Sequence, residues 1–125
     1  MTDISTISET TFSASAAHEG DEILVCLSGS ADVAAKPHLE ALLGTVEDRA
    51  RELAVAQVRV DIRQLAFLNS SCFKDFIGWL DRLREAGPGK QYRVTFLSSA
   101  SRHWQRRSLH ALSCFARGLV TIEPS

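Results

Sequence analysis

Two adjacent hydroxyl side chains, Ser70 and Ser71, lie where a strand-like segment changes to a helical one. Apolar and polar residues alternate over 58–62, as in a half-buried strand. The residues that follow the serines recur at helical spacing on one apolar face: Phe73, Phe76, Ile77, Leu80 and Leu83. The first amides of a helix lack partners and carry partial positive charge, so an anionic group is stabilised there. Either serine can therefore be the N-cap of this helix, and a phosphoserine would also suit the position.

Cys72 shares the same helix start. The free amides favour a thiolate, so a nucleophilic Cys72 is one interpretation and a small packing thiol is the other. A phosphatase loop would need an arginine six residues later, where this chain has Gly78, and no nearby histidine supplies a base. A thiol enzyme that uses Cys72 is thus a weak hypothesis. For Cys26 and Cys114, which lie in apolar contexts, we expect packing in the core.

Basic side chains gather along one side of the last predicted helix: Arg102, His103, Arg106, Arg107 and His110. The apolar side of that helix is formed by Trp104, Ala111, Leu112 and Phe115. A solvated face is one interpretation, and contact with an acidic partner or a phosphate is the other. Nucleic-acid binding is not expected, because no second basic element accompanies the helix. The two histidines are seven residues apart rather than four, so we expect no metal site.

The elements that position these groups follow from the remaining pattern. A weak strand at Phe12, Ala14 and Ala16 and a stronger strand over 22–28 flank a turn at 18–21, which predicts a hairpin. A first helix contains Pro37 in its first turn and is expected to end at Leu53. Strands over 57–62, 92–97 and 119–122 alternate with helices that run from the serines to a terminator at 86–89 and over 100–115. The predicted order is β-β-α-β-α-β-α-β, an α/β fold with a central mixed β-sheet covered by helices.

The composition of the chain indicates a single domain, since 125 residues with 45% hydrophobic content suffice for one core. We assign residues 12–125 to it and interpret residues 1–11, which lack a signal-peptide pattern, as a flexible leader. Three cysteines without a CxxC pair favour reduced thiols and a cytoplasmic location. No apolar run approaches the roughly 20 residues needed to cross a bilayer, so no membrane embedding is expected. Residues 1–52 carry ten acids and three bases, and residues 53–125 carry five acids and eleven bases, an asymmetry that can steer a charged partner.

Two motifs give the sequence a family resemblance. In STAS domains, the fold of bacterial anti-sigma factor antagonists, a strand ends in an Asp-Ser-Ser-Gly type motif that opens a helix. Here the matching residues are Asn69-Ser70-Ser71-Cys72. The Gly-Glu-Leu-Asp type turn of the family, between the second strand and the first helix, is matched by Gly29-Ser30-Ala31-Asp32. The sequence therefore resembles a STAS domain over about residues 12–122.

The resemblance implies a regulatory module that is not an enzyme and has no cofactor of its own. Ser70 occupies the position of the serine that a partner-switching kinase phosphorylates and a phosphatase restores. The unphosphorylated protein would bind the kinase, which in many such systems is also the anti-sigma factor, and would thereby release the sigma factor. ATP and Mg²⁺ would belong to the kinase. The resemblance leaves the oligomeric state open.

Asn69 and Cys72 depart from the family, which has an acid and a glycine there, so a second hypothesis is a STAS scaffold in a regulatory or transporter complex that is never phosphorylated. In both cases we expect the partner to bind around the serine helix, where Trp79 would flank the surface or be partly buried. Asp32 would either cap the first helix or shape the pocket around Ser70. The predicted partner-binding residues are Asp32, Asn69, Ser70, Ser71, Cys72, Lys74, Asp75 and Trp79.

Overall fold

The computed structural model describes residues 2–87 and 89–124. Its strands are β1 (Thr2–Ser8), β2 (Phe12–Glu19), β3 (Glu22–Ala31), β4 (Gln57–Leu68), β5 (Arg93–Ser98) and β6 (Val120–Pro124). Its helices are α1 (Lys36–Leu53), α2 (Ser70–Glu85) and α3 (His103–Phe115), and a short 3-10 turn over Val33–Ala35 precedes α1. The six strands form one sheet in sequence order, from β1 at one edge to β6 at the other.

The sheet is mixed, as predicted. Strands β1, β2 and β3 pair antiparallel, whereas β3, β4, β5 and β6 pair parallel. Each helix connects one parallel strand to its immediate neighbour, always advancing in the same direction. Because such crossovers share one hand, the three helices lie on the same face of the sheet. The other face has no helix against it in the described ranges, so the sheet is covered on one side.

Alternation along the strands places the core between the sheet and the helices. In β3, Ile23, Val25 and Leu27 are buried, while Leu24 and Cys26 between them are only half-buried. The helices contribute their apolar stripes to the same cluster, with Leu39 from α1 and Phe76 from α2. This two-layer arrangement leaves the ends of the parallel strands accessible.

The chain start differs from its prediction. Residues 2–8 form β1 and pair with β2 rather than forming a flexible leader. Ile4 and Ile7 pack partly buried against the core. Two isoleucines among Thr, Ser and Asp are too few apolar residues to indicate a strand from sequence. Pairing with β2 is what stabilises β1.

The other elements agree with their predictions apart from their boundaries. β4 continues to Leu68, and α3 begins at His103 rather than at residue 100. The predicted terminator at 86–89 coincides with the end of α2, although Pro88 lies outside the described residues. In α3 the buried face includes Gln105, Leu109 and Leu112, whereas Ala111, assigned to the apolar side, is exposed.

Two of the three cysteines are not core residues, so the prediction of packing was wrong for Cys26 and Cys114. Cys26 is half-buried on the open face of the sheet, in register with Ser15 and Asp61. Cys114 is exposed on α3, with its Sγ 3.6 Å from His110 Nε2. Apolar neighbours in sequence did not reveal these orientations, because alternate strand residues and successive helix residues point to different sides.

Candidate functional site

The parallel strands end along one side of the sheet, which we name the carboxyl edge: the ends of β3, β4, β5 and β6 at Ala31, Leu68, Ser98 and Pro124. β3 and β4 are adjacent there, with Ala31 in register with Leu68. The Asn69 amide donates a hydrogen bond of 2.9 Å to the carbonyl of Ala31. Both sequence motifs therefore meet at this edge.

The N-cap of α2 is Asn69 and not a serine, so that prediction was wrong. Asn69 has an extended backbone, and its side chain accepts a hydrogen bond of 3.0 Å from the Cys72 amide. The Phe73 amide donates to the Asn69 carbonyl at 2.9 Å. Asparagine is among the best N-cap residues, and it precedes both serines. The serine hydroxyls are consequently not needed to cap the helix.

Ser70 is the first residue of α2 and is exposed, whereas Ser71 is half-buried. Within residues 2–87 and 89–124, the Ser70 hydroxyl has no hydrogen-bond partner, and neither do the amides of Ser70 and Ser71. A group attached to Ser70 would meet solvent and two free amides. The position thus combines access with donors for an anion.

Asp32 caps the 3-10 turn that leads into α1. Its carboxylate accepts hydrogen bonds from the amides of Ala34 and Ala35 at 3.1 and 3.3 Å. Its main-chain carbonyl accepts a hydrogen bond of 3.4 Å from the Cys72 thiol in the first turn of α2. Asp32 therefore caps the turn before α1 and not α1 itself, whose N-cap is Ala35, and the backbone of Asp32 also lies beside the serine motif.

Cys72 is a packing residue. Its relative exposure is 0%, and burial, followed by the nearby Asp75 carboxylate, raises the pKa of its thiol. Raising the pKa reduces the thiolate fraction, which opposes nucleophilic catalysis. A buried Cys72 side chain cannot contact a partner directly. The prediction that Cys72 belongs to the partner-binding surface was therefore wrong.

A partly buried ion pair joins α1 to the first turns of α2. Lys36 Nζ lies 2.6 Å from Asp75 Oδ1 and 2.8 Å from Glu40 Oε1, and it is 3.4 Å from the Ser71 carbonyl. The Asp75 side chain is 7% exposed, and burial raises its pKa while Lys36 opposes that rise. Asp75 thus holds the two helices together rather than facing a partner. Sequence reasoning missed Lys36, although its i, i+4 spacing from Glu40 was a signal for a helical ion pair.

Trp79 is fully buried, so the prediction that it flanks a partner surface was wrong. Its indole Nε1 donates a hydrogen bond of 2.8 Å to the hydroxyl of Tyr92. Lys74, by contrast, is exposed on α2. Of the eight predicted partner-binding residues, Ser70 and Lys74 are exposed, and Asp32, Asn69 and Ser71 are half-buried beside them.

Two exposed apolar side chains flank the serine motif and were missed from the sequence. Val33 is 71% exposed and follows β3, and Phe67 is 49% exposed near the end of β4. They are the large exposed hydrophobic residues of the described ranges. Nothing local distinguishes Phe67 from the other apolar residues of a strand, so only its position in the sheet reveals its exposure. Val33, Phe67 and Ser70 are thus exposed near the ends of the neighbouring strands β3 and β4.

Gly29 explains why the second motif begins with glycine. Its φ of +86° lies in the left-handed region, and a Cβ there would be 2.2 Å from the Thr11 carbonyl oxygen. The neighbouring Ser30 amide donates a hydrogen bond of 2.7 Å to the same oxygen. The glycine therefore allows the chain before β2 to approach β3 closely.

No metal site accompanies this surface: within the described ranges, no group of three His, Cys, Asp or Glu side chains is placed to hold an ion. Nor does any helix of the described residues have the length and apolar character to cross a membrane.

Comparisons with known proteins give structural neighbours only. No protein-family model matches the sequence, and no curated protein sequence matches it. An anti-sigma factor antagonist from Mycobacterium paratuberculosis has a TM-score of 0.67 at 16% identity, covering 92% of this chain and 90% of that one. A chain in the complex of the diguanylate cyclase SiaD with its activator SiaC, from Pseudomonas aeruginosa, has a TM-score of 0.65 at 15% identity, covering 96% of this chain and 98% of that one. The anti-sigma factor antagonist SpoIIAA in its unphosphorylated form has a TM-score of 0.51 at 19% identity, covering 67% of this chain and 71% of that one.

These neighbours define the class of structure. The chain has the STAS fold of anti-sigma factor antagonists, which confirms the fold predicted from the two motifs. At these identities the likeness establishes the fold alone.

Proposed function

We propose that this protein is an anti-sigma factor antagonist of the partner-switching type, controlled by reversible phosphorylation of Ser70 by a serine kinase that is also the anti-sigma factor. The observation that carries the proposal is the position of Ser70 at the start of α2 in a STAS fold. Its hydroxyl is exposed and does not cap the helix. A phosphatase would restore the free serine.

The apolar side chains beside Ser70 support a docking surface at the carboxyl edge. A partner that covers Val33 and Phe67 removes apolar area from water, which favours association. Ser70 follows Phe67 closely in the chain, so the same partner would cover its hydroxyl. An uncharged serine can be covered at little cost.

Phosphorylation would reverse this preference electrostatically. A phosphoserine carries roughly −1.5 to −2 charges at neutral pH, and the free amides of Ser70 and Ser71 can receive part of that charge without refolding. A docking partner must then desolvate or repel the phosphate. A penalty of ~3 kcal/mol weakens binding by about two orders of magnitude.

The proposal is tested by intact-mass analysis of the protein isolated from its native cells with phosphatases inhibited. We expect one phosphate on the wild type and on Ser71→Ala, and none on Ser70→Ala. Ser71→Ala is the matched control because it removes the adjacent hydroxyl at the same helix start. A phosphate that persists in Ser70→Ala would refute the assignment of the site.

The second candidate function is a STAS scaffold that binds its partner without phosphorylation. It is favoured by the likeness to a chain in the complex of a cyclase with its activator, and by Asn69 and Cys72 in place of the acid and glycine of the STAS motif. If the protein is a scaffold, the wild type and the Ser70→Asp variant should bind the partner with equal affinity. A partner switch would lose most of its binding in Ser70→Asp, as measured by calorimetry with the copurified partner.

A further inference from the structure

A groove separates the first half of α3 from the ends of β5 and β6. It has a volume of about 290 Å³ and is lined by Ser98, Ser99, Arg102, Arg106, His110 and Ile122, among others. We name it the cationic groove. Arg102, Arg106 and His110 follow one another at intervals of four residues, so they lie on one side of the helix.

The arginines of this groove lack the carboxylate partners that arginines have on the other helices. Every arginine of α1 and α2 lies within 4 Å of an Asp or Glu oxygen. Among the described residues, Arg102 and Arg106 form no such pair. Residues 86–122 contain six Lys and Arg residues and not one Asp or Glu, and the next acid, Glu123, lies 3.7 Å from Arg59.

The groove is held in shape by hydrogen bonds of Gln105 and Arg102 to backbone groups. Gln105 is fully buried, its Nε2 donates to the carbonyls of Ile62 and Leu65 at 2.7 and 3.0 Å, and its Oε1 accepts from the Ser99 amide at 2.8 Å. Arg102 Nε donates to the Arg63 carbonyl at 3.1 Å. One side of the Arg102 guanidinium is thus anchored while its remaining donors stay free, which is a preorganised arrangement for a carboxylate.

We propose that the cationic groove binds an acidic segment of a partner protein. Arginine pairs with carboxylates in a bidentate geometry, and the apolar side chain of Ile122 provides a wall for the aliphatic part of such a segment. The volume suits a few side chains rather than a duplex, and no Phe, Tyr or Trp side chain is among the residues that line the groove. Charge complementarity and apolar lining together favour a peptide over a nucleic acid.

The groove opens at the carboxyl edge, where Ser70 also lies. A protein docked at the serine motif can therefore extend an acidic segment along this edge toward α3. The inference does not depend on phosphorylation of Ser70, so the two proposals can fail separately.

The test is fluorescence anisotropy of the full chain with a labelled synthetic peptide of alternating Glu and Leu. We expect Arg102→Gln/Arg106→Gln to weaken binding about tenfold, the loss of two partly exposed ion pairs. The matched control is Arg49→Gln/Arg51→Gln on α1, which removes the same charge and should leave the affinity within about twofold. Single Arg106→Gln, at an exposed position, should show an intermediate loss without any effect on folding. Ser70→Ala should bind as the wild type does.

Amide NMR spectra locate the bound peptide. Signals of Ser99, Arg106 and Ile122 should shift on titration, while those of α1 stay unchanged. Equal losses in the groove and control variants, shifts confined to another surface, or absence of binding would overturn the proposal. A single-stranded oligonucleotide that binds the groove more tightly than the peptide would overturn the assignment to a protein partner.

Discussion

The side chain that caps α2 determines which hydroxyl remains free. Asn69 satisfies the Cys72 amide, so Ser70 keeps its hydroxyl for solvent or a modifying enzyme. An acid at position 69, as in the STAS motif, would also cap the helix, because carboxylate and amide oxygens accept equally well there. The departure from the motif therefore preserves the local geometry and removes one negative charge.

Replacing Asn69 tests this cap. We expect Asn69→Ala to lower the free energy of unfolding by about 1 kcal/mol, because the Cys72 amide loses its acceptor. Asn69→Asp should keep the cap and gain up to about 1 kcal/mol from its charge at the helix start. Urea denaturation measures both. Ser71→Ala is the control, and a loss there as large as in Asn69→Ala would show that a serine shares the capping.

At the scale of elements, polar side chains from distant segments fix the helices around the site. Lys36 and Asp75 lie 39 residues apart in sequence and connect α1 to α2. Gln105 connects α3 to β4 and to the loop after β5. The burial of Gln105 is tolerated because both ends of its side-chain amide have backbone partners, and the burial of Asp75 Oδ1 because it has Lys36.

Gln105 offers a sharp test of this role. Gln105→Leu should lower the free energy of unfolding by about 3 kcal/mol, because three backbone groups lose their partner and stay shielded from water. Gln91→Leu is the matched control: Gln91 is exposed and donates a single hydrogen bond to the Arg84 carbonyl, so its loss should cost less than about 1 kcal/mol. Chemical denaturation compares the two. Similar values for both variants would contradict a buried anchoring role for Gln105.

At the scale of the whole molecule, the sheet is asymmetric. Its helices cover one face, β1 and β6 form its edges, and the surfaces proposed for binding lie at the carboxyl edge. β1 lies at the edge farthest from β6 and α3, so its contribution is to stability rather than to the cationic groove.

Removal of β1 tests that contribution. A variant that starts at Thr10 should keep its fold but lose about 2 kcal/mol of unfolding free energy, because Ile4 and Ile7 no longer pack on the core. β2 would become an unprotected edge, so we also expect concentration-dependent association by size-exclusion chromatography. The control Ile4→Ser/Ile7→Ser keeps the strand's length and should lose similar stability with less association. Unchanged stability after truncation would favour a flexible leader.

Local patterns in the sequence were enough to predict most of the fold. Period-two and period-3.6 alternation located β2 to β6 and the three helices, and the two motifs were placed at strand ends, because local burial and hydrogen bonding impose those periods. They also located the serine pair at the start of a helix, because a hydroxyl there can be recognised from its neighbours, whereas the choice of Ser70 over Ser71 came from the resemblance to STAS domains.

Only the tertiary structure decided what each of these residues faces. It buried Trp79 and Cys72, exposed Val33 and Phe67, paired Lys36 with Asp75, and formed a groove from α3 and β6. Such outcomes depend on contacts between segments far apart in the chain. The sequence around a residue does not reveal those contacts. Sequence therefore determined the order of elements from β2 onward and the position of the two serines, whereas packing determined the surface around them.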